Sequence, residues 1–337
     1  MSTRLAFWLL PFGLTTGTLG ACSDDSTDPP DTHWAEAFDA TETGWLLDVW
    51  GPNPTALYAV GGAPGAGVVM HFDGASWTKL ELPAGTPLLA WAYGFSESDI
   101  TFVGDAGTIL HYDGQSFSAA TSNTTEHLWG VWGAAPDDLY AVGGSGRAEA
   151  QPTVLHFDGS NWSVVTLPPL SKANVHGLFK VWGTASDNVY VVGQRGTVLH
   201  FDGSSWTELL VGASDDLISI WGVDANHVYA VGGRSNGIIA RFDGTEWRTQ
   251  SLAPLPALNG VFVREPGVVH VVGITGTIAS VDGATLEVRT DESWSTALDL
   301  HATFASGGEL YAVGGSLAST EAPYQGIALE RHLLDEE

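Results

Sequence analysis

Basic residues are scarce: 12 Lys plus Arg stand against 39 Asp plus Glu in 337 residues, for a formal net charge of −27. So acidic a chain repels phosphate backbones and anionic headgroups, which argues against nucleic-acid binding and against a membrane attachment made by basic residues. Cysteine is almost missing. The single Cys22 allows neither an internal disulfide nor a cysteine-based zinc cluster. Charged residues make up only 15 % of the chain while Trp occurs 14 times, a composition opposite to that of disordered chains. No Gly-x-Ser-x-Gly elbow, phosphate loop or His-Glu-x-x-His pair is present, nor the Asp-x-Asp-x-Asp-Gly spacing that gathers oxygens around calcium. No metal site and no cofactor are expected.

What is present begins with an export signal. Arg4 provides a short positive region, Leu5 to Leu14 is mostly apolar, and Leu19-Gly20-Ala21-Cys22 follows. The apolar stretch is shorter than the roughly 20 residues that span a bilayer. This end resembles a bacterial lipoprotein signal peptide. The resemblance implies cleavage after residue 21, a diacylglycerol on Cys22 and an acylated new amine, and more than one acyl chain makes anchoring stable. In enterobacterial lipoproteins a Ser after the acylated Cys, here Ser23, goes with the outer membrane. Residues 22–32 have little apolar content after Cys22 and read as a solvated acidic tether. The expected address is therefore the cell envelope.

Residues 33–337 are repetitive. Leu, two residues, a small or β-branched residue and an aromatic recur from Leu46 to Trp50, Leu89 to Tyr93, Leu128 to Trp132, Leu178 to Trp182, Leu217 to Trp221, Leu258 to Phe262 and Leu300 to Phe304. The aromatics are spaced by 43, 39, 50, 39, 41 and 42 residues. Each anchor is followed by a polar turn, a strand such as Val189 to Gly193, a loop, a strand ending in an Asp-Gly turn, and a further strand opened by an aromatic such as Trp206. Short Val-, Tyr- and Phe-rich strands at even spacing indicate antiparallel sheet, and four per unit of this length indicate a propeller blade. The expectation is an all-β, seven-bladed propeller of four-stranded antiparallel blades. The seventh unit has no fourth strand, and His33-Trp34-Ala35-Glu36 is an orphan fourth strand, so the amino-terminal strand should close the ring and remove an exposed edge.

The run Tyr140 to Trp162 resembles a kelch-type blade, and the Asp-Gly-x-x-Trp turn is loosely similar to the Asp-box of sialidase-type propellers. The whole body resembles the tandem Trp-Gly/Asp-Gly repeats of bacterial surface lipoproteins. The kelch Arg near the start of each first strand and the full Asp-box spelling are lacking, and no catalytic residue carries across.

Recurrence assigns His71, His111, His156 and His200 to structure, because equivalent positions in successive blades radiate and cannot share one ion. The recurring Trp residues are likewise packing, and the Asp-Gly pairs are turn chemistry. The irregular loops between second and third strands differ from blade to blade. Three consecutive ones hold an arginine each, Arg147, Arg195 and Arg234, with Lys172 and His176 in a neighbouring inter-blade loop. Guanidinium suits carboxylate or phosphate, so these five residues form the candidate ligand site. The bland alternative is that they offset Glu149, Asp215 and Asp216. Trp129, inside a first strand, is assigned to the core, and Trp294 lies outside the repeat pattern. Together these features point to a lipid-anchored binding or scaffold protein with a protein or glycan ligand. The alternative is a glycan-active enzyme, a sialidase-like hydrolase or polysaccharide lyase, for which Glu149, Asp215, Asp216, Glu321 and Tyr324 are the available acids and hydroxyl.

Overall fold

A computed structural model describes residues 33–145, 149–317, 319 and 321–333. The signal peptide, Cys22, the tether to residue 32 and Arg147 lie outside the described residues. Seven four-stranded antiparallel sheets follow one another, each a meander in chain order. The first strands of the blades are Trp45–Asn53, Leu89–Ser96, Leu128–Ala135, Leu178–Ala185, Leu217–Asp224, Leu258–Phe262 and Asp299–Ser306. The seventh blade runs Asp299–Ser306, Glu309–Gly315, Gly326–His332 and then Ala35–Glu36, so the amino-terminal strand does supply its fourth member. Ala35 pairs with Glu330 and Glu36 with Leu329. Trp34, 4 % exposed, locks this closure by donating from Nε1 to Asp291 Oδ2 at 2.9 Å. Arg331 joins the same carboxylate at 3.5 Å and covers the Trp34 ring.

The repeat consensus has direct physical causes. In each Asp-Gly turn the Asp Oδ1 accepts the N–H groups two and three residues on, as Asp202 does from Ser204 and Ser205 at 2.9 and 2.8 Å. These bonds favour the ionised form and hold Asp73, Asp113, Asp158, Asp202, Asp243 and Asp282 below the usual carboxylate range. In blades 1 to 5 the aromatic that opens the fourth strand packs on the one that ends the third, with ring centroids 5.2 Å apart for Phe201 and Trp206. His71, His156 and His200 stack on the tyrosine of the second strand, Tyr190 on His200 at 4.4 Å, while His111, His156 and His200 reach the first residue of that strand. His111 meets Asp99, His156 meets Asp138 and His200 meets Asn188 at 3.0, 2.7 and 2.8 Å. Blade 1 has Ala56 at that place, and His71 Nε2 is accordingly buried without a partner.

The Trp-Gly pair is an interlock between neighbours. A Cβ on Gly183 would stand 2.8 Å from the Trp132 ring of the preceding blade, and one on Gly222 would stand 2.5 Å from the Trp182 ring. Each indole therefore rests on the glycine of the next blade. In this topology the turns between first and second strands lie on one face of the disc, the turn face, and the inter-blade and second-to-third-strand loops on the other, the loop face.

Candidate functional site

Every blade breaks the register of its first strand just after the conserved Leu, where one residue is left out of the pairing with the second strand. The seven bulged residues are Leu47, Ala90, Trp129, Phe179, Ile218, Asn259 and His301. All seven line one cavity of about 460 Å³ on the loop face, with Lys180, Ile274, Asp299 and Leu317. Since each blade contributes one residue, the cavity is axial. Three strand positions after the Leu come Val49, Ala92, Val131, Val181, Ile220, Val261 and Thr303, all buried. Trp45, Leu88 and Tyr324 extend the apolar rim, Tyr324 edge-on to Trp45 at 4.9 Å.

Trp129 is thus not a core residue, as its place in a first strand suggests. The bulge turns it to the cavity wall, where it is half-buried and donates from Nε1 to Gly144 O at 2.6 Å. Trp294 packs beside the cluster of blades 6 and 7 with a buried, unpartnered Nε1.

The polar groups of the axial cavity sit deep in the ring. The Lys180 stem runs over Gly130, where a Cβ would meet Lys180 Cδ at 3.3 Å. Its Nζ donates to Trp129 O at 2.6 Å and stands 3.9 Å from the Trp91 ring centroid. An ammonium has three protons, so one carbonyl and one ring face leave donor capacity directed to the cavity. Asp48, 1 % exposed, accepts from Ala92 N at 2.9 Å and attracts Lys180 without a direct ion pair. Burial pushes the Asp48 carboxyl up and the Lys180 ammonium down from their ordinary values. His301 has a buried Nε2 without a partner, and burial lowers its pKa to about 4, which keeps the ring neutral. Asn259 donates from Nδ2 to Leu300 O at 3.0 Å, leaving its Oδ1 over. Asp299 already accepts from Thr275 N at 2.8 Å.

Of the loop residues singled out from the sequence, Arg195, Arg234, Lys172 and His176 lie on the same face, away from the axis. Arg195 occupies the left-handed position of a tight turn, φ 58°, as do Ala106 at 55° and Thr275 at 53° in blades 2 and 6. Its N–H donates to Asp216 Oδ1 at 2.7 Å, just as Thr275 N–H meets Asp299. The residue before the conserved Leu of one blade thus clips the turn of the blade before it. Arg234 approaches the same Asp216 at 3.8 Å, so Asp216 stands between the two arginines. The Arg195 guanidinium is exposed and has no partner among the described residues. Lys172 directs its ammonium at three carbonyls, Arg195 O, Gly196 O and Ala213 O, at 2.5, 3.2 and 2.9 Å. His176 bonds Gln194 through its N–H and Ala150 O through Nδ1. Among the described residues no group of three or more His, Cys, Asp or Glu could hold a metal ion.

On the turn face, Trp50, Tyr93, Trp132, Trp182 and Trp221 with the residues that follow them line a shallow opening of about 750 Å³. It carries few polar side chains, and the Trp132 and Trp182 rings there are committed to the interlock.

A scan of the sequence against protein-family models finds no match, and neither does a search of curated proteins. Solved structures do resemble it. YCF48 from Cyanidioschyzon merolae is 15 % identical at a TM-score of 0.67, covering 89 % of this chain and 99 % of its own. A structure of YCF48 bound to D1 peptide gives 16 % and 0.67 over 90 % of this chain and 97 % of the other. The RRP9 WD40 repeats give 12 % and 0.70, covering 90 % and 99 %. What this chain shares with them is a seven-bladed, WD40-like propeller fold.

Proposed function

We propose that this chain is a binding scaffold that receives a segment of another protein in the axial cavity of its loop face. The observation that carries this reading is the bulge ring: seven blades spend one non-repeating residue each on the wall of one axial pocket. A mostly apolar wall with a few placed polar groups is the usual make-up of a recognition pocket. It suits apolar side chains better than the hydroxyls of a glycan. YCF48, a propeller of similar fold, has been solved bound to D1 peptide, which supports reading the architecture as a peptide holder.

The sequence adds an address to this proposal. Acylated at Cys22, the chain is a cell-envelope lipoprotein of the outer membrane. The strand Ala35–Glu36 runs antiparallel to Gly326–His332, which leaves the loop face, so the chain enters the ring at the turn face. Replacing Cys22 by Ser should abolish palmitate labelling and release the protein from membranes.

The decisive experiment is a display selection of random peptides on the full chain, repeated with Ile218→Lys. Ile218 is half-buried on the cavity wall and its ring neighbours are not displaced by a side chain that leaves through the mouth. Selected peptides should lose binding to Ile218→Lys at unchanged melting temperature. Peptides that bind both proteins alike place the site elsewhere. A second reading rests on the unpartnered Arg195 guanidinium: an anionic ligand held by Arg195 and Arg234. Selected acidic peptides lost by Arg195→Ala and Arg234→Ala, and not by Ile218→Lys, decide for it.

A further inference from the structure

We infer that the axial cavity takes the carboxyl-terminal end of its partner, an apolar last residue with its free α-carboxylate, which Lys180 and His301 bind. The inference rests on the protein-binding reading above and names what that pocket recognises. Three independent features of the cavity carry it.

The first is donor surplus. Lys180 Nζ has one carbonyl acceptor at 2.6 Å, and its remaining donor capacity faces the cavity. A buried donor left unmade costs free energy, and a carboxylate satisfies it with a charge-assisted bond. His301 adds an Nε2 that is buried and unpartnered on the same wall. Asp48 accepts from Ala92 N through Oδ2 and attracts the ammonium without forming a direct ion pair with it.

The second is shape. The cavity is axial, since each blade gives it one residue, and its volume of about 460 Å³ does not hold a returning hairpin. A chain end fits, and its terminal side chain meets Leu47, Phe179 and Ile218.

The third is the leftover acceptor. Asn259 Oδ1 faces a ligand after Nδ2 has bonded Leu300 O. A peptide has an N–H for it and a fatty acid does not. With a net charge of −27 on the protein, the rest of the segment should be neutral or basic.

The test uses the full chain and two pools of fluorescently labelled hexapeptides, randomised at four positions and ending in Leu, one pool as free acids and the other as C-terminal amides. The acids should bind at least tenfold more tightly than the amides. Lys180→Met should bring the acids down to the amide level, and His301→Gln should narrow the gap, with both variants melting cooperatively. Equal binding of the two pools by the wild type overturns the inference without needing a variant. If that equal binding is lost in Ile218→Lys, the pocket reading stands and only the carboxylate assignment falls. Binding of neither pool overturns both. Laurate that displaces the acid pool at equal concentration overturns the choice of a polypeptide end.

Discussion

Gly222→Ala tests the interlock that sets the blade angle. A methyl at this place would lie 2.5 and 2.8 Å from two ring atoms of Trp182 and 2.7 Å from His227 O. Carbon atoms rest at about 3.5–4.0 Å, so the indole has to retreat by about 1 Å. Trp182 is 5 % exposed and held between blades, so retreat strains its neighbours. Overpacking of this kind costs about 1–3 kcal/mol. The backbone works the other way: Gly222 has no positive φ, and Gly→Ala at a permissive site gains about 0.4–1 kcal/mol through the unfolded chain. The expected net loss is about 1–2 kcal/mol. It should appear in urea unfolding followed by far-UV circular dichroism, which does not depend on the tryptophan signal. Trp182→Phe removes the clashing ring atoms. In that background the contact with His227 O is left and the ring clash is gone, so Gly222→Ala should cost less, and the cycle should show a coupling of at least about 1 kcal/mol. An alanine that costs the same in both backgrounds, or nothing in either, refutes the interlock as the reason for Trp-Gly.

Three further outcomes are expected. His301 is neutral in the fold at a pKa of about 4 and titrates near 6.5 when unfolded, so the unfolded chain binds the proton first and stability falls as pH drops through that interval. His301→Gln should therefore lose less melting temperature than the wild type between pH 7 and pH 4.5; equal losses contradict the burial of this ring. Arg195 and Thr275 hold left-handed φ angles that cost a side chain about 1 kcal/mol, so Arg195→Gly and Thr275→Gly should each raise the unfolding midpoint, the β-branched Thr275 more. An unchanged midpoint in both means that the turns relax. Trp34→Ala empties the closure of a buried indole and strands Asp291 beside Arg331, at a cost of about 3–5 kcal/mol. It should also bare the edge of Gly326–His332 and give concentration-dependent association in sedimentation, and a monomer of wild-type stability would remove the latch role.

The blade count, the strand count and the closing strand were legible because each rests on a residue type repeated for a local reason. Asp202 caps its own turn, Trp206 covers Phe201, and His200 reaches Asn188 within one hairpin. The axial cavity was not legible in the same way. Period-two alternation places the residue after the conserved Leu on a blade face, and only the bulge redirects it to the axis. Its one sequence sign is inverted: between a constant Leu and a constant aromatic, that position reads Leu, Ala, Trp, Phe, Ile, Asn and His around the ring. Lys180 and Asp48 sit one position further on in blades 4 and 1, and no local pattern pairs residues of separate repeats. The arginine loops show the converse. Arg195 stands out by its scarce charge, yet its main chain serves a turn that Ala106 and Thr275 form equally well. Asp216, a candidate acid on sequence grounds, bonds that turn.

The ring's closure also has a consequence in time. Ala35–Glu36 is among the first of the described residues to be synthesised and Gly326–His332 among the last, so the strand waits unpaired while nearly the whole propeller is made. Chains emerge at about 5–20 residues per second, which makes the wait on the order of tens of seconds. A chain stopped one strand short has six finished blades and no seventh, with Ala35–Glu36 and Glu309–Gly315 left without the strand that pairs with both. Completeness of synthesis is thereby a condition of the folded state itself, and a truncated product identifies itself to proteases by its unpaired ends.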